Sequence, residues 1–238
     1  MRNVVAAGVT LLTGFSVFVA SPVMSQESKS LAQASVAAPV YKPPMRGAPG
    51  GRVGGGTRGT GGGRDVFVLS ALAPDHMGLT ASEQPALYWF LSNPTTLPVE
   101  VTIIDPQATS PLYEHRLTSP VPAGVHKIDL KQLGVRLATG IPYRWSVAVV
   151  PDAKRRSRDI LASATIERVE NTEPLRDKLA QARAEQVAGL YAEAGLWYDA
   201  LNAITEQLDR TPQNTTFRQQ RAALLAQIGL PTIDDSKP

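Results

Sequence analysis

The spacing of apolar residues changes once along this chain, and that change limits the folds it can adopt. From Asp65 to Glu170 the apolar residues occur in short runs separated by proline, glycine or asparagine. The runs are rich in β-branched and aromatic residues, as strands are. Seven such runs occur with no helical pattern between them: Val66–Leu72, Ala86–Leu91, Val99–Ile104, Leu112–Leu117, Val125–Leu130, Tyr143–Val150 and Ile160–Val169. This pattern predicts an antiparallel β-sandwich over residues 65–170, immunoglobulin-like by analogy.

Two of the runs indicate which side chains face the core. Apolar and polar residues alternate strictly from Val99 to Ile103, which predicts that Val99, Val101 and Ile103 point inward. The run that starts at Tyr143 alternates in the same way and places Trp145 in the core.

After Glu170 the apolar residues recur at helical spacing. Asn171–Pro174 is typical of a helix start, because proline in the first turn loses no hydrogen bond. The predicted helices are a first one whose apolar stripe runs from Leu175 to Ala194, a second over Leu196–Arg210 and a third over Thr215–Ile228. The predicted class is therefore α+β, with a cap of two to three helices over residues 171–230 and a tail over 231–238.

The helical part resembles a repeat of the tetratricopeptide type. Ala188, Tyr191, Gly195, Trp197, Ala200, Ile204 and Pro212 match the small, aromatic, turn and proline positions of that family. Gln207 departs from it, because a small residue is usual there. About three repeats are needed for a stable array, and this chain has room for about one and a half. We expect a small helical unit that docks on the sandwich or on a partner.

The first 25 residues are typical of a signal peptide. Arg2 precedes the uncharged apolar run Val4–Ala20, and Val23-Met24-Ser25 offers a cleavage site before Gln26. An uncleaved anchor is the alternative, although 17 residues is at the short limit for a spanning helix. No later run approaches that length, so we expect a periplasmic or secreted protein with no membrane span after cleavage near Ser25.

A segment rich in glycine and arginine, Tyr41–Arg64, follows a Ser/Ala-rich spacer. This segment, called the arm below, contains ten glycines and five cationic residues but no acidic residue. So few apolar side chains cannot offset the backbone entropy that is lost on ordering, which predicts disorder over residues 26–64. The alternative is that Tyr41–Arg64 docks in a defined way on the sandwich, since its order of Pro, Arg and Gly is specific. The arm cations are Lys42, Arg46, Arg52, Arg58 and Arg64.

The positive charge of the chain belongs to the arm. The formal net charge is +3, and without Arg2 and the five arm cations the remainder sums to −3. The folded part therefore has no general attraction for polyanions. A second basic cluster, Lys154–Arg158, is either a solvated turn or a patch that cooperates with the arm. The arm cations, Arg155 and Arg156 are the candidate partner-binding residues.

Few residues suggest catalysis or a cofactor. Gly54–Gly59 matches G-x-G-x-x-G, but dinucleotide binding needs a strand before the pattern and a helix after it, and neither is predicted here. His76, His115 and His126 have no paired spacing. The chain has no cysteine, which excludes thiolate metal sites. We assign no catalytic, cofactor or metal-binding residues.

Several short motifs resemble the bacterial domain-of-unknown-function family DUF928. They are Tyr41-Lys42-Pro43-Pro44 with Arg46–Gly50, Arg52–Gly59, Tyr88-Trp89-Phe90, Tyr143-Arg144-Trp145, Ile166-Glu167-Arg168 and Gly195–Ala200. The resemblance covers roughly residues 39–230. It implies an exported protein in which a sheet is followed by helices, and it supplies no catalytic residues.

These observations favour a non-enzymatic envelope protein that binds a partner or acts as a scaffold. Its arm would contact an anionic envelope component or a protein. Nucleic acid is not expected as a partner, because the protein is exported and Tyr41 is the only ring in the arm that could stack on a base. The alternatives are a hydrolase acting on an envelope polymer and an assembly subunit that forms oligomers through its C-terminal helices.

Overall fold

Two β-sheets and a C-terminal group of helices contribute to one apolar core. The computed structural model describes residues 38–44, 52–57 and 67–230. The signal peptide, three arm cations (Arg46, Arg58 and Arg64) and the tail over 231–238 lie outside these ranges. The described residues belong to one compact unit, and its α+β class agrees with the prediction.

The strands of the described residues are arranged in a four-stranded and a five-stranded sheet. They are β1 Gly55–Thr57, β2 Phe67–Ala71, β3 Gly78–Thr80, β4 Ala86–Leu91, β5 Val99–Ile104, β6 Tyr113–Arg116, β7 Gly124–Asp129, β8 Pro142–Val149 and β9 Ile160–Arg168. The first sheet has the order β1-β2-β4-β7 and is antiparallel. The second has the order β3-β9-β8-β5-β6 and is mixed, because β3 runs parallel to β9.

The seven predicted strands are confirmed, with ends that shift by about one residue. The expectation of a purely antiparallel fold is wrong at β3. Sequence patterns also missed β1 and β3, which have three residues each and no alternation of apolar and polar side chains. Both contain glycine, which is depleted in strands.

The cross-strand register confirms the predicted core positions. Val101 lies opposite Val147, and Ile103 lies opposite Trp145 on the neighbouring strand. All four side chains are buried, and Trp145 has no exposed surface. The inward face of β5 is therefore the one that the strict alternation predicted.

The helices of the described residues are α1 Glu173–Gln181, α2 Ala184–Glu193, α3 Trp197–Arg210 and α4 Thr215–Ala226. Where one long helix was predicted, the backbone is extended at Ala182 and Arg183 and separates α1 from α2. The Gln186 side chain accepts a hydrogen bond from the Arg183 N–H at 3.0 Å and caps the new helix. Neither proline nor glycine marks this break, so the apolar spacing alone could not indicate it.

The first turn of α3 connects the helices to both sheets. The Trp197 indole N–H donates to the Leu72 carbonyl oxygen, just after β2, at 2.9 Å. The Trp145 indole N–H donates to the Tyr198 hydroxyl at 2.9 Å, and that hydroxyl donates to the Thr165 carbonyl oxygen at 3.0 Å. The helical cap therefore docks on the sheets of its own chain, which was one of the two expected arrangements.

Gly78 allows β3 to approach α3 closely. A Cβ at this position would lie 2.6 Å from Cε2 of Tyr198, which is too close for any side chain. The residue that weakens the strand pattern of β3 is therefore the residue that lets the Tyr198 ring lie against its backbone.

Part of the arm is ordered along the edges of the two sheets. Val53 exchanges two main-chain hydrogen bonds of 2.9 Å with Ser163 of β9, and β1 pairs with β2 shortly after it. Residues 52–57, called the seam segment below, thus connect an edge of each sheet. The prediction of disorder is wrong for these residues, because main-chain hydrogen bonds to a strand edge need no apolar side chains.

We expect Tyr198→Phe to lower the free energy of unfolding by about 1–3 kcal/mol, because it removes the hydroxyl between the buried Trp145 indole and the Thr165 carbonyl. Tyr191→Phe, at a half-buried tyrosine of α2, is the matched control and should cost less than about 0.5 kcal/mol. Urea denaturation measures both values. Equal losses in the two variants would contradict a special role for the Tyr198 hydroxyl.

Candidate functional site

The helical end of the protein holds a second part of the arm, residues 38–44, called the Tyr41 segment below. Pro39 and Tyr41 are buried, whereas Val40 and Lys42 are exposed. Alternation of this kind is the pattern of an extended chain. The segment is rich in proline, which restricts the backbone before docking and reduces the entropy lost. Disorder was predicted here as well, and that prediction is wrong for these residues.

Gln227, just after α4, holds the main chain of the segment at two points. Its Oε1 accepts a hydrogen bond from the Tyr41 N–H at 2.8 Å, and its Nε2 donates to the Pro39 carbonyl oxygen at 2.8 Å. The same Nε2 donates to the Ala223 carbonyl oxygen at 3.0 Å, which fixes the amide on its helix. One side-chain amide therefore supplies the hydrogen-bond donor and acceptor that a neighbouring strand supplies in a sheet.

The end of α2 provides a third main-chain contact. The Lys42 N–H donates to the Ala192 carbonyl oxygen at 3.0 Å. Gly195 follows α2 with a φ of +77°, and a Cβ there would lie 3.0 Å from the Lys42 carbonyl oxygen. The left-handed backbone already favours glycine at this helix end, and the passing segment adds a second reason.

Tyr41 fills an aromatic pocket on this surface. Its ring packs edge-on against Trp197, with ring centroids 5.0 Å apart. Its hydroxyl lies 3.0 Å from Nε2 of His76, whose Nδ1 lies 3.3 Å from a carboxylate oxygen of Asp75. The carboxylate favours a proton on Nδ1, so the hydroxyl donates to Nε2. Burial, and to a smaller extent the Asp75 charge, raises the pKa of Tyr41 above its usual range. The seat of the segment consists of His76, Ala192, Gly195, Trp197 and Gln227.

Docking of the Tyr41 segment is close to energetic balance. Burial of a tyrosine ring contributes about 4–6 kcal/mol. The hydrogen bonds that the segment makes with Gln227, Ala192 and His76 add about 1 kcal/mol each. Ordering a seven-residue segment costs about 1–2 kcal/mol per residue, less where proline restricts the free chain. These gains and the ordering cost are therefore of similar size.

Arg52, a predicted partner-binding residue, is bound within the chain. Its Nη1 donates to the Ala73 carbonyl oxygen at 2.9 Å and to the Ile228 carbonyl oxygen at 3.3 Å. Ile228 follows α4, and a positive charge is favoured at the C-terminal end of a helix. Burial lowers the pKa of Arg52, and the Asp75 charge opposes that effect. Arg52 thus joins the seam segment to the sheets and the helices.

The two predicted residues of the second basic cluster have acidic partners within the chain. Arg155 Nε lies 2.7 Å from a carboxylate oxygen of Asp152. Arg156 lies 2.6 Å from Glu100 of β5 and 2.9 Å from Asp159. The hydrogen bond from Arg156 is the largest cause that lowers the pKa of Glu100. A role of these arginines in partner binding stays a prediction.

A cleft of about 110 Å³ opens beside α3, where the β3–β4 loop and the end of β7 meet it. Its lining includes the carboxylates of Asp129, Asp199 and Glu206. Converging carboxylates are what the hydrolase alternative requires. Two of these carboxylates have polar partners within the cleft: Lys127 lies 3.2 Å from Asp129, and the Asn202 amide donates to Glu206 at 3.1 Å.

Asp199 in the first turn of α3 holds the loop that follows β3. Its Oδ2 accepts the Ala81 N–H at 3.0 Å, and the Ser82 N–H of the same loop donates to the Thr80 hydroxyl at 3.1 Å. Burial outweighs the hydrogen bonding to the Asp199 carboxylate and raises the pKa of Asp199 to about 6. Some surface of the residue remains accessible, but the protein packed around the carboxylate removes most of its water.

The histidines occupy separate places in the structure, as the lack of paired spacing predicted. His76 contacts Tyr41, His115 lies on β6, and His126 stacks on Trp89 with ring centroids 4.2 Å apart. In residues 38–44, 52–57 and 67–230, no three histidine or acidic side chains are arranged to hold a metal ion. Of the glycine pattern over 54–59, Gly55–Thr57 form β1, and the next described element is a strand.

Sequence reasoning did not identify the seat. Its contacts come from residues that are ordinary in their own elements, such as a glutamine at the end of a helix and a tryptophan at the start of one. The available signal was a single aromatic residue, Tyr41, flanked by prolines in a segment otherwise free of rings. Such a residue indicates an anchor in an extended chain.

We expect the stability of the protein to depend on the charge state of Asp199. Its pKa is raised to about 6 in the folded state, whereas an exposed aspartate titrates near about 4. Folding therefore favours the protonated form, and this stabilisation is complete below about pH 4 and is lost as the pH rises through about 6. From about pH 4 to about pH 7, wild type should lose about 2–3 kcal/mol of unfolding free energy relative to Asp199→Asn.

Urea unfolding at a series of pH values measures this difference. Asp177→Asn, at an exposed aspartate of α1, is the control and should show no such trend relative to wild type. A difference between wild type and Asp199→Asn that is independent of pH would contradict the raised pKa.

Comparisons with known proteins place the chain in a family. The model of a family described as Domain of Unknown Function (DUF928) matches residues 53–237, from the seam segment through both sheets and the helices. The Tyr41 segment precedes the matched range. A search of curated proteins found no match. None of the helices in the described part of the chain is long and apolar enough to cross a membrane. Because the match spans most of its length, the chain belongs to the DUF928 family.

Proposed function

We propose that this is an exported envelope protein that binds a partner or acts as a scaffold and is not an enzyme. The observation that carries the proposal is the seat, where the helical end holds an extended segment by its main chain. Export is supported by Arg2, the apolar run Val4–Ala20 and the small residues before Gln26.

The contacts of the seat are those of a site for extended peptides. Gln227 and Ala192 bind main-chain atoms, which any peptide offers. The pocket beside Trp197 binds one aromatic side chain, which adds selectivity. Main-chain hydrogen bonds combined with a pocket for an alternate side chain are a recurring mode of peptide recognition. The helical end therefore has the features of a peptide-binding module whose site is filled by its own chain.

The finer descriptions of the fold are part of this proposal. The two sheets are proposed to form an immunoglobulin-like sandwich, since both contribute to one core. The pair α2 and α3 is proposed to be tetratricopeptide-like. Ala188, Ala200 and Ile204, at small and apolar positions of that repeat, are buried, and Gly195 makes the turn.

The arm cations are proposed to contact an anionic component of the envelope. Arg52 is no longer among them, because it bonds to two carbonyl groups of its own chain. Lys42 is exposed on the Tyr41 segment. Arg46 falls between the Tyr41 segment and the seam segment, and Arg58 and Arg64 fall between the seam segment and β2. In the sequence, Arg46, Arg58 and Arg64 thus lie between docked residues, whereas Lys42 belongs to the docked Tyr41 segment.

The peptide-binding part is tested with a labelled peptide of residues 38–44. Tyr41→Gly should empty the seat, because it removes the buried ring that holds the segment in place. We expect the peptide to bind Tyr41→Gly at least about tenfold more tightly than wild type, whose own segment competes at an effective concentration in the mM range. Fluorescence anisotropy measures both affinities.

Two controls make this test specific. Gln227→Ala added to Tyr41→Gly should weaken binding, because the clamp on the main chain is lost. A peptide with Ser in place of Tyr41 should bind neither protein, and circular dichroism checks that each variant is folded. Failure of the peptide to bind the folded Tyr41→Gly protein would contradict the proposal.

The anionic partner is tested with vesicles that contain an acidic phospholipid. Replacing Arg46, Arg58 and Arg64 by Ser should weaken binding at least about tenfold at low ionic strength, since each cation near such a surface contributes about 1 kcal/mol. Binding of wild type should also fall between about 50 and about 300 mM salt. The matched control replaces Lys131, Lys178 and Arg210 by Ser, which removes the same charge from exposed positions outside the arm and the second basic cluster. Equal losses in both variants, or binding that is insensitive to salt, would contradict a role of the arm.

A further inference from the structure

The Tyr41 segment is attached to its seat by few groups. Tyr41 is its one large buried side chain, while Val40 is 58% exposed and Lys42 and Pro43 are also exposed. Its main chain is held at Pro39, Tyr41 and Lys42. These contacts are all with the helical end and the loop after β2, so the segment can leave without disrupting a strand pairing.

The seam segment keeps the arm attached when the Tyr41 segment leaves. Val53 pairs with β9 and β1 pairs with β2, and neither contact involves the seat. Seven residues, 45–51, separate the two docked parts, and three of them are glycines. The Tyr41 segment is therefore a short element that seven residues join to an independently anchored point, an arrangement that favours exchange between copies.

The seat is complementary to this segment in several respects at once. The two atoms of the Gln227 amide match a carbonyl group and an N–H that are two residues apart. The pocket matches a tyrosine at the second of those positions, with His76 opposite its hydroxyl. A second copy of the chain supplies every one of these features in the same spacing.

We infer that the seat of one copy accepts the Tyr41 segment of a second copy, so that the protein assembles by segment exchange. This inference rests on the proposed function, because it names the peptide that the seat binds in trans. The contacts of the exchanged pair are the same as those within one chain. The balance between the two forms is then set by protein concentration and by the linker, and exchange increases as copies are concentrated.

Cross-linking tests the exchange cleanly, because the chain has no cysteine of its own. One copy carries Lys42→Cys, and a second copy with a different tag carries Glu193→Cys, next to the carbonyl group that Lys42 contacts. The mature chains are unfolded, mixed, refolded together at about 1 µM or about 300 µM, and treated with a short bismaleimide. A protein with both substitutions in one chain reports docking within that chain. Lys154→Cys in place of Lys42→Cys is the collision control.

The expected result is a linked pair of differently tagged chains whose fraction rises at least about tenfold between the two concentrations. It should exceed the collision control and decrease when Gln227→Ala is added to the copy with Glu193→Cys. If the double variant is linked within its own chain but the mixture yields no more than the control, exchange is overturned while docking and the proposed function stand. If neither is linked and the labelled peptide also fails to bind Tyr41→Gly, both are overturned.

Discussion

Two adjacent aromatic residues at the start of α3 are the physical link on which the rest of the structure depends. Trp197 bonds to the end of β2 and packs against Tyr41, while Tyr198 bonds to Trp145 and lies against the backbone of β3. Both rings are buried and their polar atoms have partners, so little freedom remains for the helix to move. The sheets, the helical cap and the arm therefore meet at one turn of helix. A substitution in that turn affects the packing of all three.

Sequence patterns predicted the long elements well and the contacts between them poorly. The alternation in β5 and β8 is strong because one face of each strand is buried, so bounds and inward residues followed from it. β1 and β3 were not predicted, because their pairing depends on main-chain hydrogen bonds at glycine residues and on the edges of the neighbouring strands. The division between α1 and α2 depends on a capping contact by Gln186, which apolar spacing does not encode. The seat was not predicted, because Gln227 lies more than 180 residues along the chain from its partner Tyr41.

The charge of the arm has a different meaning once the contacts are known. A count of cations suggested five equivalent groups on a free tether. Arg52 instead bonds to two carbonyl groups, and the backbone of the next residue, Val53, is paired with β9. In the second cluster, Arg155 and Arg156 are paired with carboxylates of their own domain. The charge that a partner can contact therefore depends on which cations already bind groups of their own chain. Composition alone does not give that number.

Recognition through one amide has a consequence for how the Tyr41 segment can evolve. Gln227 contacts only the peptide groups on either side of Val40 and leaves that side chain in solvent. Val40 and Lys42 can therefore change identity while the main-chain bonds and the Tyr41 ring persist. Two faces of the same short segment are under separate constraints: the inner one must fit the seat, and the outer one is free to acquire a new binding specificity.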